Sequence, residues 1–193
     1  MTDIVLFHSV LGLRPVELGL ADRLREAGHR VATPDLYAGR TASTIEEGFV
    51  LKDAVGWTAI VGRAREAVRD LSAETVLVGV SMGAGVVQEV LPGRPHTGGV
   101  LLLHAVGALP ASVRAGLPAQ VHVADPDPIA PPAQVAAWSE PATRSGADAE
   151  VFRYPGIGHF YTDADGPDHD EPAASLTAQR ALEFVRRTAP GSA

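Results

Sequence analysis

The feature that most constrains this chain is a regular alternation of short apolar runs with stretches of helical periodicity. The runs are Ile4-Val5-Leu6-Phe7, His29 to Thr33, Thr75-Val76-Leu77-Val78, Val100-Leu101-Leu102-Leu103, Ala119 to Val123 and Glu150 to Tyr154. They are too short for buried helices, and most are nearly continuous in apolar residues, as strands covered on both faces are. Between them lie amphipathic stretches: Pro15 to Ala27, closed by Gly28, then 53–70, then Gly83 to Leu91, stopped by Pro92-Gly93. Pro132 to Arg144 and Pro172 to Thr188 complete the set, and Pro15 sits where a first helical residue tolerates the missing amide. Strands separated by helices predict an α/β fold, a compact six-stranded mainly parallel sheet with helices on both faces. The alternation runs without a linker or repeat, so residues 1–193 read as one domain. Only Ala189 to Ala193 read as disordered.

Bulk properties narrow the function classes. A chain of 193 residues suits one domain with a sizeable core. A formal net charge of -7, with the basic residues scattered, argues against a nucleic-acid partner. The absence of cysteine removes disulfides, thiolate catalysis and cysteine-ligated zinc. No apolar run approaches the roughly 18 residues of a membrane helix. Met1-Thr2-Asp3 lacks the basic start of a signal peptide. The expectation is a cytoplasmic protein with no membrane partner, metal or cofactor.

Open parallel sheets bind ligands outside the carboxyl ends of their strands, so the residues after each run are the ones to examine. Gly79-Val80-Ser81-Met82-Gly83 matches the G-x-S-x-G nucleophile elbow. A sharp strand-to-helix turn lifts the serine hydroxyl clear of the sheet, and side chains two positions either side would strike neighbouring backbone. With 20 glycines the bare pattern is weak, but this copy stands between an apolar run and a helix rich in small residues. The rival reading as a phosphate loop fails, because no Gly-Lys-Ser/Thr follows.

A serine hydroxyl needs a base. His159 lies in a glycine-rich loop after the last strand, able to fold back over the sheet edge. His122 falls within a strand, His29 and His96 precede strands, and His169 sits in an acidic loop. His8 and His104 also follow strands and read as residues that line the pocket or simply cap the sheet. Asp125 and Asp127 share one loop after the fifth strand, and spacing alone does not separate them as the group orienting the imidazole.

At this point the chain resembles the dienelactone hydrolases of the α/β-hydrolase superfamily. The resemblance runs through His8-Ser9-Val10-Leu11-Gly12, Thr33-Pro34-Asp35-Leu36-Tyr37, the Gly79 to Gly83 elbow, Asp127-Pro128-Ile129-Ala130-Pro131 and Tyr154-Pro155-Gly156-Ile157-Gly158-His159-Phe160. It implies an α/β-hydrolase fold, Asp127 as the catalytic aspartate, and an oxyanion hole from the amides of Val10 and Met82. His8, Ser9, Leu11, His104 and Phe160 are then the expected substrate-binding residues. Three departures stand out: Ser81 replaces the cysteine of the founding enzymes, Ser9 replaces a glutamate, and no arginine follows His159. A carboxylated lactone is thereby disfavoured, and a small neutral ester, thioester or lactone fits better. An acyltransferase on the same residues, or a non-catalytic small-molecule binding protein, are the alternatives. Residues 42–52 could form a lid, with Phe49, Trp57 and Trp138 more simply read as packing. The run Asp163 to Glu171 reads as a solvated acidic loop rather than a cation site, since it departs from the calcium-loop pattern.

Overall fold

The computed structural model describes residues 1–110, 113–144 and 146–188, so the reading of Ala189 to Ala193 lies outside it. The strands are β1 (Asp3–Phe7), β2 (Arg30–Ala32), β3 (Val76–Val80), β4 (Val100–Leu103), β5 (Pro118–Asp125) and β6 (Asp148–Pro155). They form one sheet in the order β2-β1-β3-β4-β5-β6, with every neighbouring pair parallel. The helices are α1 (Pro15–Glu26), α2 (Ile45–Val55), α3 (Trp57–Val68), α4 (Met82–Val90), α5 (Pro132–Arg144) and α6 (Glu171–Arg187).

Alternation along each strand divides the apolar residues between two layers. Val5, Phe7, Leu77, Leu102, Val121 and Val123 pack with Ile60 and Ala64 of α3, Val86 and Val87 of α4, and Val135 of α5. Ile4, Leu6, Val76, Val78, Val80, Leu101 and Leu103 pack with Leu24 of α1 and Phe184 and Val185 of α6. Each such side chain, fully removed from water, contributes about 1.5–3 kcal/mol. Both faces are covered, which is why the runs are apolar throughout.

Strand order creates the place for a site. The chain leaves β1 for β2 on one side, then returns past β1 to lay β3 on the other. The helices that follow β1 and β3, α1 and α4, therefore pack on opposite faces. Their connecting loops therefore flank this switch point, the place where open α/β sheets bind their ligands. Residues 8–12 and 81–82 border it.

Several elements differ from the sequence reading. The single helix expected over 53–70 is two, because Gly56, at φ 84°, ends α2 and begins α3. Apolar periodicity persists across the break, so only the glycine marked it. Helix α2 starts inside the segment considered as a lid, capped by the Thr44 hydroxyl accepting from the Glu47 amide at 3.2 Å. That segment is docked on the loop after β1: the Ala42 amide donates to the Leu11 carbonyl at 2.9 Å. A Cβ at Gly48 would stand 2.8 Å from the Val10 carbonyl oxygen. Strands β5 and β6 also extend beyond their apolar runs, since each supplies the other's ladder from Pro118–Asp148 to Asp125–Pro155.

His122 lies inside β5, buried, with Nε2 donating to the Gln120 side-chain oxygen and Nδ1 accepting from the Tyr154 hydroxyl, both at 2.9 Å. The Arg180 guanidinium stands 4.0 Å from the Phe152 ring beside it. Burial, then the Arg180 charge, push the imidazole pKa down to about 3. In the unfolded chain the same ring takes a proton near pH 6.5. Protons therefore favour the unfolded state, and stability is lost as pH falls from about 6.5 to about 3, by at most about 1.4 kcal/mol per pH unit for this residue. Urea unfolding at pH 7, 6, 5 and 4 will show this slope, and His122→Gln will flatten it by about one proton's worth whatever its effect at pH 7.

Candidate active site

β3 ends in a turn that places Ser81 at φ 49° and ψ -108°, a conformation L-residues rarely adopt and one that costs about 1–3 kcal/mol. The two flanking glycines make the turn possible. A Cβ on Gly79 would lie 2.5 Å from the Gly83 carbonyl oxygen, and one on Gly83 would overlap the Phe7 carbonyl. The Ser81 amide is held by the Leu103 carbonyl at 2.7 Å. Met82 is the first residue of α4, so its amide has no acceptor within the helix.

The loop after β6 returns His159 to this turn. Ser81 Oγ lies 3.0 Å from His159 Nε2, and His159 Nδ1 lies 2.6 Å from Asp127 Oδ2. A carboxylate can only accept, so it fixes the imidazole proton on Nδ1 and leaves Nε2 to accept from the serine hydroxyl. The other carboxylate oxygen, Oδ1, accepts from the amides of Ile129 at 2.8 Å and Ala130 at 3.3 Å. Asp127 is 1% exposed and His159 is 4% exposed. Burial opposes ionisation of Asp127, but the His159 hydrogen bond and charge and the two amides outweigh it and hold its pKa below the ordinary value. Asp125 faces away at the end of β5, 3.6 Å from Arg153. The structure thus brings Ser81, His159 and Asp127 into one hydrogen-bonded chain and leaves Asp125 outside it.

The remaining expected residues divide. Met82 follows the serine and packs in one apolar cluster with Val10, and among the described residues nothing accepts from either amide. Leu11 and Phe160 pack with Val10, Ile45 and Met82 into a small apolar cluster. His8, Ser9 and His104, expected as substrate-binding residues, are all fully buried and bonded inward. His8 donates from Nδ1 to the Ser9 carbonyl at 2.7 Å and accepts at Nε2 from the Leu36 amide at 3.0 Å. Ser9 donates to Glu17 at 2.7 Å. His104 Nε2 is 2.8 Å from the Thr162 hydroxyl, its ring 5.7 Å from that of His159. Burial, then the charge of His159, lower its pKa to about 3, so a neutral ring backs the site. Position after a strand does not reveal whether a side chain turns outward or back into the core.

The acidic loop is exposed at Asp165 and Glu171, as expected, but is tied down elsewhere. Asp163 is buried and pairs with Arg14 at 2.8 Å, Asp168 accepts from the Phe160 amide at 3.2 Å, and Asp170 caps α6 through the Ala173 amide at 2.9 Å. The Asp168 carboxyl occupies the space a Cβ would need at Gly158, the residue before His159. Among the described residues no group of three or more His, Asp or Glu is placed to hold a metal ion. None of their helices is long and apolar enough to cross a membrane. Glu17, Arg14, Thr162 and Asp168 escaped the sequence reading. The one signal for Glu17 was its place three residues after Arg14, in the first turn of a helix.

The sheet order and the strained elbow at the switch point are those of an α/β hydrolase, and solved structures carry the same architecture. A dienelactone hydrolase-like promiscuous phosphotriesterase from metagenomic libraries superposes with a TM-score of 0.75 at 15% identity, covering 96% of this chain and 86% of that one. A putative dienelactone hydrolase from Klebsiella pneumoniae gives 0.73 at 18% identity, covering 96% and 87%. A phospholipase/carboxylesterase from Dyadobacter fermentans gives 0.63 at 16% identity, covering 94% and 90%. No curated protein matches the sequence. The chain belongs to the dienelactone hydrolase family, whose model matches residues 1–189, and it is a hydrolase.

The elbow's dependence on bare backbone contact yields a stability prediction. Gly83→Ala forces α4 away from β1, and is expected to cost about 1–3 kcal/mol, a fall of some 2–12 °C in Tm by calorimetry.

Proposed function

We propose that the protein cleaves small neutral esters, thioesters or lactones through an acyl-serine intermediate. The observation that carries this reading is the unbroken chain from Ser81 Oγ through His159 to Asp127, with spacings of 3.0 and 2.6 Å. Ser81 is the nucleophile, His159 the general base and then acid, and Asp127 the group that orients the imidazole and stabilises its protonated form. As Oγ attacks the carbonyl carbon, its proton passes to Nε2. The carbonyl oxygen becomes an oxyanion and is held by the Val10 and Met82 amides, assisted by the positive end of α4. His159 then gives its proton to the departing alcohol, thiol or ring oxygen. A water molecule, deprotonated by the same nitrogen, attacks the acyl-serine, and a second collapse releases the acid and restores Ser81.

The neutral-substrate preference rests on the surroundings of the serine. Phe160, Tyr161 and Thr162 follow His159, and none carries a positive charge to hold a substrate carboxylate. Val10, Leu11, Ile45, Met82 and Phe160 form an apolar wall beside the elbow. The relatives whose names refer to carboxylesterase or dienelactone hydrolase activity agree with ester chemistry.

Labelling with a fluorophosphonate followed by peptide mapping is expected to mark Ser81 in the wild-type protein and nothing in Ser81→Ala. An unlabelled wild-type protein without ester turnover would remove the hydrolytic reading. On an activated short-chain ester, Asp127→Asn is expected to lower kcat by about 10,000-fold, since an asparagine no longer enforces the required tautomer. Asp125→Asn is expected to stay within a few-fold of wild type; the reverse pattern would move the acid to Asp125.

A further inference from the structure

We propose that Glu17 is a positioning residue for the oxyanion hole: its carboxylate, reaching from the first turn of α1, holds the Ser9–Leu11 turn in the shape that leaves the Val10 amide free to donate. The inference rests on the hydrolytic reading above and extends it to a residue that does not touch the substrate.

The backbone accounting of the loop after β1 carries the argument. Glu17 Oε1 accepts from the Ser9 hydroxyl at 2.7 Å and from the Ser9 amide at 3.3 Å. With its proton committed to Glu17, the Ser9 oxygen turns a lone pair to the Leu11 amide, which donates at 3.3 Å. The Gly12 amide donates to the Ser9 carbonyl at 3.2 Å, and His8 Nδ1 donates to the same oxygen at 2.7 Å. The amides of Ser9, Leu11 and Gly12 are therefore all committed, and the Val10 amide alone is not. A preorganised donor beside the nucleophile is what stabilises a developing oxyanion without a reorganisation cost at the moment of reaction.

A simple capping role does not account for Glu17. Its second oxygen, Oε2, does accept from the Arg14 amide at 3.1 Å, as a capping box requires. Glu47 does the same work at the start of α2, accepting from the Ser43 and Thr44 amides, and remains exposed. Glu17 is 1% exposed. Burying a carboxylate is costly, and burial raises the Glu17 pKa despite the hydrogen bonds from Ser9 and the nearby Arg14 charge. That cost goes with the bonds to Ser9, which a surface capping residue would not make. Arg14, bound to Glu17 through its amide, pairs through its guanidinium with Asp163 on the loop that carries His159. One helix start thus anchors both the loop bearing the oxyanion donor and the loop bearing the base.

The test compares an ester with the corresponding thionoester in wild type, Glu17→Ala, Glu17→Gln and Ser81→Ala. Sulfur is a weak hydrogen-bond acceptor, so the thionoester gains little from an intact oxyanion hole. In Glu17→Ala the ester kcat is expected to fall about 10–100-fold with KM within a few-fold of wild type. The thionoester is expected to change far less, so the ester-to-thionoester rate ratio collapses. A loss of folded protein scales both substrates equally and leaves that ratio intact. Glu17→Gln, which keeps an acceptor for the Ser9 hydroxyl, is expected to recover part of the ratio. Parallel loss on both substrates, or no loss on either, would overturn the role of Glu17 while Ser81-dependent turnover still stood. Undiminished turnover by Ser81→Ala would overturn the hydrolytic reading and this inference with it.

Discussion

Where Gly83 meets the Phe7 carbonyl, two backbone segments approach as closely as peptide groups allow, and the geometry of the site follows from that contact. β1 and β3 are already hydrogen-bonded neighbours, with Phe7 opposite Gly79. Without a side chain at 83, the first turn of α4 lies directly over the end of β1. The loop leaving β1 is then close to the loop leaving β3, and Val10 comes beside Ser81 and Met82. A methyl group at that position would separate the two free amides from one another as well as straining the elbow. Packing and site geometry are here one constraint, because a close-packed interior passes a local displacement on rather than absorbing it.

The site is also a concentration of buried polar groups. His159 with Asp127, Glu17 with Ser9, Arg14 with Asp163 and His104 with Thr162 each remove polar atoms from water and each supply a partner. In a low-dielectric interior such pairs hold direction firmly, and an unpaired member would be costly. They lie on the loop after β1, on α1, and on the loops after β4, β5 and β6, so they tie together the segments that the sheet alone leaves independent. The neutral state of His104, enforced by burial, keeps a second positive charge from the back of His159.

Docking of residues 42–52 shows the same economy. Helix α2 is held by a glycine against the Val10 carbonyl and by the Ala42 amide on Leu11, so this segment and the loop carrying the Val10 amide share one support. Ile45 adds an apolar surface beside Met82 and Phe160.

What the sequence alone determined were the features that arise within a few residues. Apolar runs against helical periodicity gave the α/β class and the six strands, and Gly79, Ser81 and Gly83 announced a turn that only glycine permits. The order of Ser81, Asp127 and His159 along the chain, with the resemblance that singled out Asp127 over Asp125, already pointed to the residues that meet in one hydrogen-bonded chain. Tertiary structure decided the rest. The break at Gly56 was hidden because the apolar repeat of α2 continues into α3. The inward turn of His8, Ser9 and His104, the burial of Asp163 and the link from Glu17 to Ser9 depend on which polar groups oppose one another after the sheet has formed. Local patterns record which face of an element is dry. Pairing between residues 8 to 149 positions apart leaves no such periodic trace, and only the packed core specifies it.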